Sequence, residues 1–186
     1  MNALISLCLG IGLSTSTGFR ILVPFAALSA AAVYGNFDLP SEMAWLDSYP
    51  ALIGLVIGTF IEVAAYYIPW VNDALDTVEL PASIIAGTYL TGSFAADLPT
   101  LLQWSLALIA GGGIAGSINS LTGVTRLATN SATGGVATPV MSTLEWMSAL
   151  MLAILAIALP LLALVLSLFL LFWVVKKLRK RRRTLR

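Results

Sequence analysis

The stretch LSTSTGFRILVP, residues 13–24, decides how this chain folds. Leu-Gly-Ile-Gly-Leu precedes its polar part, and Phe-Ala-Ala-Leu-Ser-Ala-Ala-Ala-Val follows Pro24. Four hydroxyl residues (Ser14, Thr15, Ser16, Thr17), Gly18 and Arg20 thus stand between two apolar runs. Hydroxyls and glycine are what a helix needs where it breaks in an apolar setting, because they re-satisfy freed backbone groups. Arg20 needs a partner or water, since an arginine at a bilayer centre costs about 2.5–3.5 kcal/mol on insertion scales. The stretch therefore reads as a broken helix carrying a buried charge.

The composition sets the surroundings. Of 186 residues, 59% are hydrophobic and 10% are charged, and the mean hydropathy is +0.93. That is too little polar surface to cover a water-soluble fold, so the expectation is one compact integral membrane domain. Eight of the ten basic residues close the chain: Lys176, Lys177, Arg179, Lys180, Arg181, Arg182, Arg183 and Arg186. A basic run after an apolar helix is a cytoplasmic flank that attracts anionic lipid, so no nucleic-acid partner is expected. The division is residues 1–175 as a transmembrane domain and 176–186 as a basic cytoplasmic tail. There is no histidine, and the one cysteine is Cys8. A histidine-based triad is excluded, and no metal, cofactor or catalytic residue is assigned. The start lacks a basic n-region, so a cleaved signal peptide is not expected.

Along the chain, residues 2–13 are apolar but shorter than the roughly 20 residues of a full span. Residues 36–50 read as a loop with one short helical turn. Residues 51–69 form a span with Gly54 and Gly58 on one face, suited to helix contact. Residues 70–80 are acidic, with Asp73, Asp76 and Glu79 three apart on what reads as a solvated face. Residues 82–96 and 100–118 are apolar, the latter rich in small residues near Gly112 and Gly116, a second packing pair. A polar break covers 119–139. Residues 147–175 are apolar with a kink at Pro160. No segment alternates as a membrane strand would, so the expected fold is all-α. It is a polytopic membrane helical bundle of about five or six embedded segments, some broken or re-entrant.

STSTGFRIL at 14–22 and NSLTGVTRLA at 119–128 share an order: hydroxyls, Thr-Gly, arginine, apolar residues. This suggests a degenerate internal repeat with two breaks. Broken helices at matching places in two halves point to a transporter-like site, whose half-helix N-termini favour an anion. The candidate ligand-binding or pore-lining residues are Ser14, Thr15, Ser16, Thr17, Gly18, Arg20, Glu62, Thr122, Gly123, Arg126 and Asn130. Glu62 is the expected partner of Arg20, and Glu145 is the alternative partner for Arg126. One acid against two arginines leaves positive charge for an anionic ligand. The formal G-x-G-x-x-G at 111–116 has no strand before it and is no nucleotide fingerprint.

These residues also carry a likeness. TGFRILVP, IEVAAYYIPWVNDALDTVELPASIIAG and NSLTGVTRLATNSATGGVATPVMSTLEW resemble three motifs of the bacterial membrane proteins grouped as DUF4126. Gly18, Arg20, Pro24, Glu62, Pro69, Asp73, Asp76, Pro81, Gly87, Arg126, Asn130 and Glu145 sit on them. The family pattern often has His and Lys ahead of the second arginine, near Asn119 and Gly123 here, and a basic residue where Leu80 stands. The resemblance implies a multi-span protein of the bacterial inner membrane and implies no activity.

Two functions stay open. One is a small transporter- or channel-like protein, not an enzyme, forming a homo-oligomer, with a polar centre for an anionic solute or lipid head group. The other is a non-transporting scaffold or lipid-organising protein, in which the same charges only hold helices together. Membrane lipid is a partner in both.

Overall fold

The computed structural model describes residues 2–184, without the side chains at 69, 70, 72–74, 76, 175 and 177–184. The expectations for Asp73 and Asp76, and for the basic side chains from Lys177 onward, lie outside the described residues. The described chain is all-α, with eight α-helices and no strand. They are α1 (Ala3–Thr17), α2 (Leu22–Gly35), α3 (Tyr49–Ala65), α4 (Pro69–Phe94), α5 (Thr100–Leu106), α6 (Gly113–Thr133), α7 (Thr138–Ala158) and α8 (Pro160–Thr184). A 3₁₀ turn at Ser41–Leu46 fills the α2–α3 connection, as the sequence suggests. A π-helical segment, Ala107–Gly112, joins α5 to α6 without a break.

Proline explains most of the punctuation. Pro24, Pro50, Pro69, Pro139 and Pro160 stand within the first turn of α2, α3, α4, α7 and α8. There a missing N–H costs nothing. Pro160 therefore ends one helix and starts another, where the sequence suggests only a kink. Pro81 alone lies inside a helix, α4. At the start of α3 the Ser48 hydroxyl also accepts the Ala51 N–H at 3.3 Å.

A break is present but later than the expected 14–20: α1 runs through the four hydroxyls to Thr17, and α2 begins at Leu22. The second is not where the sequence suggests it. Residues 119–133 continue α6, so Thr122, Gly123 and Arg126 are helical. The chain turns instead at Gly134 and Gly135, whose φ angles are +61° and +87°. Glycine alone adopts such angles without a Cβ penalty.

α1 is the hub, packed against α4, α6, α7 and α8, while α2 lies on α3 and α7. Small residues let these backbones meet. A Cβ on Gly111 would lie 2.5 Å from the Gly87 carbonyl oxygen, and one on Gly116 2.7 Å from Ile84 Cγ1. Gly112 and Gly116 thus pack on α4, as their spacing suggests. Gly54 has no neighbour within 4 Å, and Gly58 meets only Leu22 Cδ1 at 3.0 Å. That pair makes no close backbone contact within the chain.

The exterior is apolar, and the interior, built largely of apolar side chains, also encloses polar and charged ones. Leu101 is 84% exposed, Ile109 76% and Phe60 73%, whereas Arg20 and Arg126 are 0% exposed. Among the described residues two helical stretches, Thr100–Thr133 and Thr138–Ala158, are long and apolar enough to cross a membrane, and four more apolar helices are shorter.

Candidate functional site

α1 presents its hydroxyls inward, and each finds a protein partner. Ser14 has one proton to donate, with the Gly87 carbonyl at 2.6 Å and that of Gly10 at 2.9 Å in reach, and it shares a 2.7 Å hydrogen bond with Thr91. The single Thr15 hydroxyl proton has the Ser167 Oγ at 2.7 Å and the Ile11 carbonyl at 3.0 Å in reach. Ser16 donates to the Ala149 carbonyl and Thr17 to that of Ser14. All four are fully buried. Ser14, Ser16 and Thr15 tie α1 to α4, α7 and α8, and Thr17 bonds within α1.

The break turns the chain after Gly18. A Cβ there would sit 2.7 Å from Ile118 Cβ and 2.8 Å from the Ala115 carbonyl oxygen, so only glycine lets the turn rest on α6. The freed N–H groups of Ile21 and Leu22 donate to the two carboxylate oxygens of Glu62, at 2.9 and 3.1 Å. Glu62 therefore caps α2 from the neighbouring α3. A carboxylate at a helix N-terminus is favoured by both hydrogen bonding and the helix dipole. The expected anion site at this half-helix is filled by the protein itself, and Glu62 is not the ion-pair partner of Arg20.

That partner is Glu145, on α7. Arg20 Nη2 donates to Glu145 Oε2 at 2.7 Å, and Arg126 Nη2 donates to the same oxygen at 2.6 Å. Arg126 Nε adds a 3.3 Å bond to Oε1. One carboxylate thus bridges a helix break and α6. On the other side is Glu79 of α4, with Oε1 3.9 Å from Arg20 Nη1 and Oε2 3.9 Å from Arg126 Nη1. Those contacts are Coulombic only, beyond the 2.7–2.9 Å typical of charge-assisted hydrogen bonds. Tyr66 lies against both cations: the guanidinium carbons of Arg20 and Arg126 are 3.7 and 4.6 Å from its ring centroid. Cation–π attraction strengthens when the cation is desolvated. Ser142 holds the ring's backbone in place by donating to the Tyr66 carbonyl at 3.0 Å.

Among the described residues the cluster's two arginines and two glutamates cancel in formal charge, so the excess positive charge expected from the sequence is absent there. Glu79 is 5% exposed; the solvated face assigned to it is overturned, because the second arginine needs a second acid in the interior. Sequence reasoning misses Glu79 and Tyr66 as site residues, because an acid in a polar run and an aromatic in an apolar one look ordinary. A charge count holds the signal that finds Glu79: two interior arginines call for two interior carboxylates.

The remaining expected residues lie at different places. Thr122 lines a cleft of about 200 Å³ between α6, α7 and α8 that reaches Glu145, and its hydroxyl donates to the Asn119 carbonyl. A Cβ on Gly123 would meet nothing within 4 Å. Asn130 Oδ1 accepts from Thr138 at 2.7 Å, joining the end of α6 to the start of α7. A second cleft, about 430 Å³, is lined by Glu62, Tyr66 and Glu79 with apolar residues of α2, α3 and α4. The charged cluster thus stands between two clefts. Among the described residues no group of three or more His, Cys, Asp or Glu could hold a metal ion.

No curated protein and no solved structure matches the chain. The family model described as "Domain of unknown function (DUF4126)" matches residues 7–180, nearly the whole length, and the chain belongs to that family.

Proposed function

We propose that this protein is a multi-span, transporter- or channel-like protein of the bacterial inner membrane, with the C-terminus cytoplasmic. Its buried two-arginine, two-glutamate centre takes an anionic group, from a solute or a lipid head group. The membrane reading is supported by the apolar exterior and the two long apolar helices. The basic end of the chain supports the orientation and the contact with anionic lipid.

One observation carries the choice of function: the centre is half-satisfied. Glu145 is tightly hydrogen-bonded, but Arg20 Nε, Arg20 Nη1 and Glu79 Oε1 are buried with no hydrogen-bond partner. A purely structural network gains from full satisfaction, and each buried unsatisfied group has to be accounted for by strain, chemistry or something bound. Intramembrane charges flanked by clefts mark ion and substrate pathways.

The scaffold reading draws on a different observation. The hydroxyls of α1 and the carboxylate of Glu62 all bond to other groups of the protein. The deciding experiment is flux of chloride, phosphate and small carboxylates in proteoliposomes. Wild-type flux above that of empty vesicles, lost in Arg20→Ala or Arg126→Ala protein that still purifies as a folded species, is expected. No flux for any anion overturns the transport reading in favour of the scaffold. Cross-linking in the native membrane tests the homo-oligomer expected from the sequence.

A further inference from the structure

Glu79 differs from Glu145, the other carboxylate between the two arginines. Glu145 makes hydrogen bonds to both arginines, whereas Glu79 faces the same two guanidiniums at 3.9 Å with Oε1 unbonded. It also lines the 430 Å³ cleft between α2, α3 and α4. Its helix has a weak point beside it: Pro81, two residues on, has no N–H for the Thr77 carbonyl. Among the described residues five groups face it: Arg20 from the α1–α2 link, Arg126 from α6, Tyr66 and Glu62 from α3 and its end, and Glu145 from α7. Two are cations, two are carboxylates, and one is a phenol.

We propose that Glu79 is the exchangeable anion of the centre: it takes a proton, leaves the two arginines toward the cleft, and an oxyanion group of the ligand occupies its place. This rests on the transporter reading above. The charges balance. One proton neutralises Glu79 and one negative charge replaces it, so the pair of arginines never stands uncompensated. The proton is needed because the cleft walls are apolar, and an ionised carboxylate turned into them would be left without compensation. The ligand gains what Glu79 lacks: at hydrogen-bond distance its oxygens satisfy Arg20 Nε and Nη1. Glu145 stays, holding the arginines in register. Binding of anion and proton is thereby linked, each favouring the other.

The test uses the full chain in nanodiscs of zwitterionic lipid, with inorganic phosphate as probe in one arm and phosphatidic acid in the lipid in the other. Infrared difference spectra at constant pH should show a protonated-carboxyl band rising as phosphate is added or phosphatidic acid is included. A response in the first arm alone makes the ligand a free oxyanion, in the second a lipid head group. Glu79→Gln should remove the band, Glu79→Asp should shift it, and Glu62→Gln should leave it. In parallel, Glu79→Ala protein should show a Tm that rises with added formate, the excised carboxylate returned in trans. A band that survives Glu79→Gln, or that vanishes instead in Glu62→Gln, overturns the proposal. So does the absence of any band in both arms, or a Glu79→Ala Tm insensitive to formate. Flux with a band that survives Glu79→Gln defeats this inference alone; a Glu79 band without flux defeats the transport reading alone.

Discussion

The two Thr-Gly stretches that lead to arginines read alike and fold differently. Thr17-Gly18 ends a helix and Arg20 lies in the link to the next. Thr122-Gly123 and Arg126 sit inside an unbroken α6. The difference follows from what stands four residues beyond each arginine. Pro24 cannot donate to the Arg20 carbonyl, and its ring would clash with it in a continuous helix. Beyond Arg126 the fourth residue is Asn130, and no proline comes until Pro139, which opens α7. Surroundings complete the contrast. Gly18 is pressed against Ile118 and Ala115, while Gly123 has open space. The Ile21 and Leu22 N–H groups have Glu62 as acceptor. Despite unlike backbones, the two arginines meet at one oxygen of Glu145. A shared sequence pattern here marks a shared destination for the side chain and not a shared backbone shape.

The severest way to break this convergence is Glu145→Ala. It removes the one hydrogen-bonded acceptor shared by both arginines, and breaking a buried pair costs about 3–5 kcal/mol. The expected result is loss of the monodisperse folded species in size-exclusion chromatography. Gly18→Ala comes next. Its methyl group would meet a backbone carbonyl and a β-carbon below 3 Å, and overpacking of this kind costs about 1–3 kcal/mol; a lowered Tm in detergent checks it. Glu62→Ala removes the cap of α2 and should cost about 0.5–2 kcal/mol, the range for a lost helix cap. Glu62→Gln, which keeps one acceptor oxygen, should recover part of that difference in the same Tm assay. The smallest effect sharpens the comparison best. Gly123→Ala meets nothing, and alanine in a helix interior is favoured over glycine by about 0.8–1.0 kcal/mol. Its Tm should stay level or rise, opposite in sign to Gly18→Ala. Equal destabilisation by both glycine changes would show that the two stretches are structurally equivalent after all.

Much of the fold is legible in the residues alone. The all-α class follows from apolar runs without alternation, and the packing role of Gly112 and Gly116 from their spacing; hydroxyls and glycine mark both polar stretches alike, and Pro24 is what sets the first apart as a break. Both arginines stand out because charge in an apolar chain has to be compensated. The corrections share one cause. Glu62 reads as the partner of Arg20 because both are charges in apolar segments, yet the helix break offers that carboxylate two N–H donors that sequence cannot show. Glu79 reads as solvated because it falls in step with Asp73 and Asp76, three residues apart, although its neighbours in space are two guanidiniums and an aromatic ring.

The sequence by itself determined that this chain forms helices, where proline and glycine divide them, and that two arginines must find partners away from water. Those properties are local or compositional: periodicity, missing N–H groups and the desolvation of charge act at each residue wherever it sits. Only the tertiary structure decided which acid serves which cation. Ion pairing depends on distance between groups 125 residues apart in the chain, such as Arg20 and Glu145. That distance is set by how α1, α4, α6 and α7 pack.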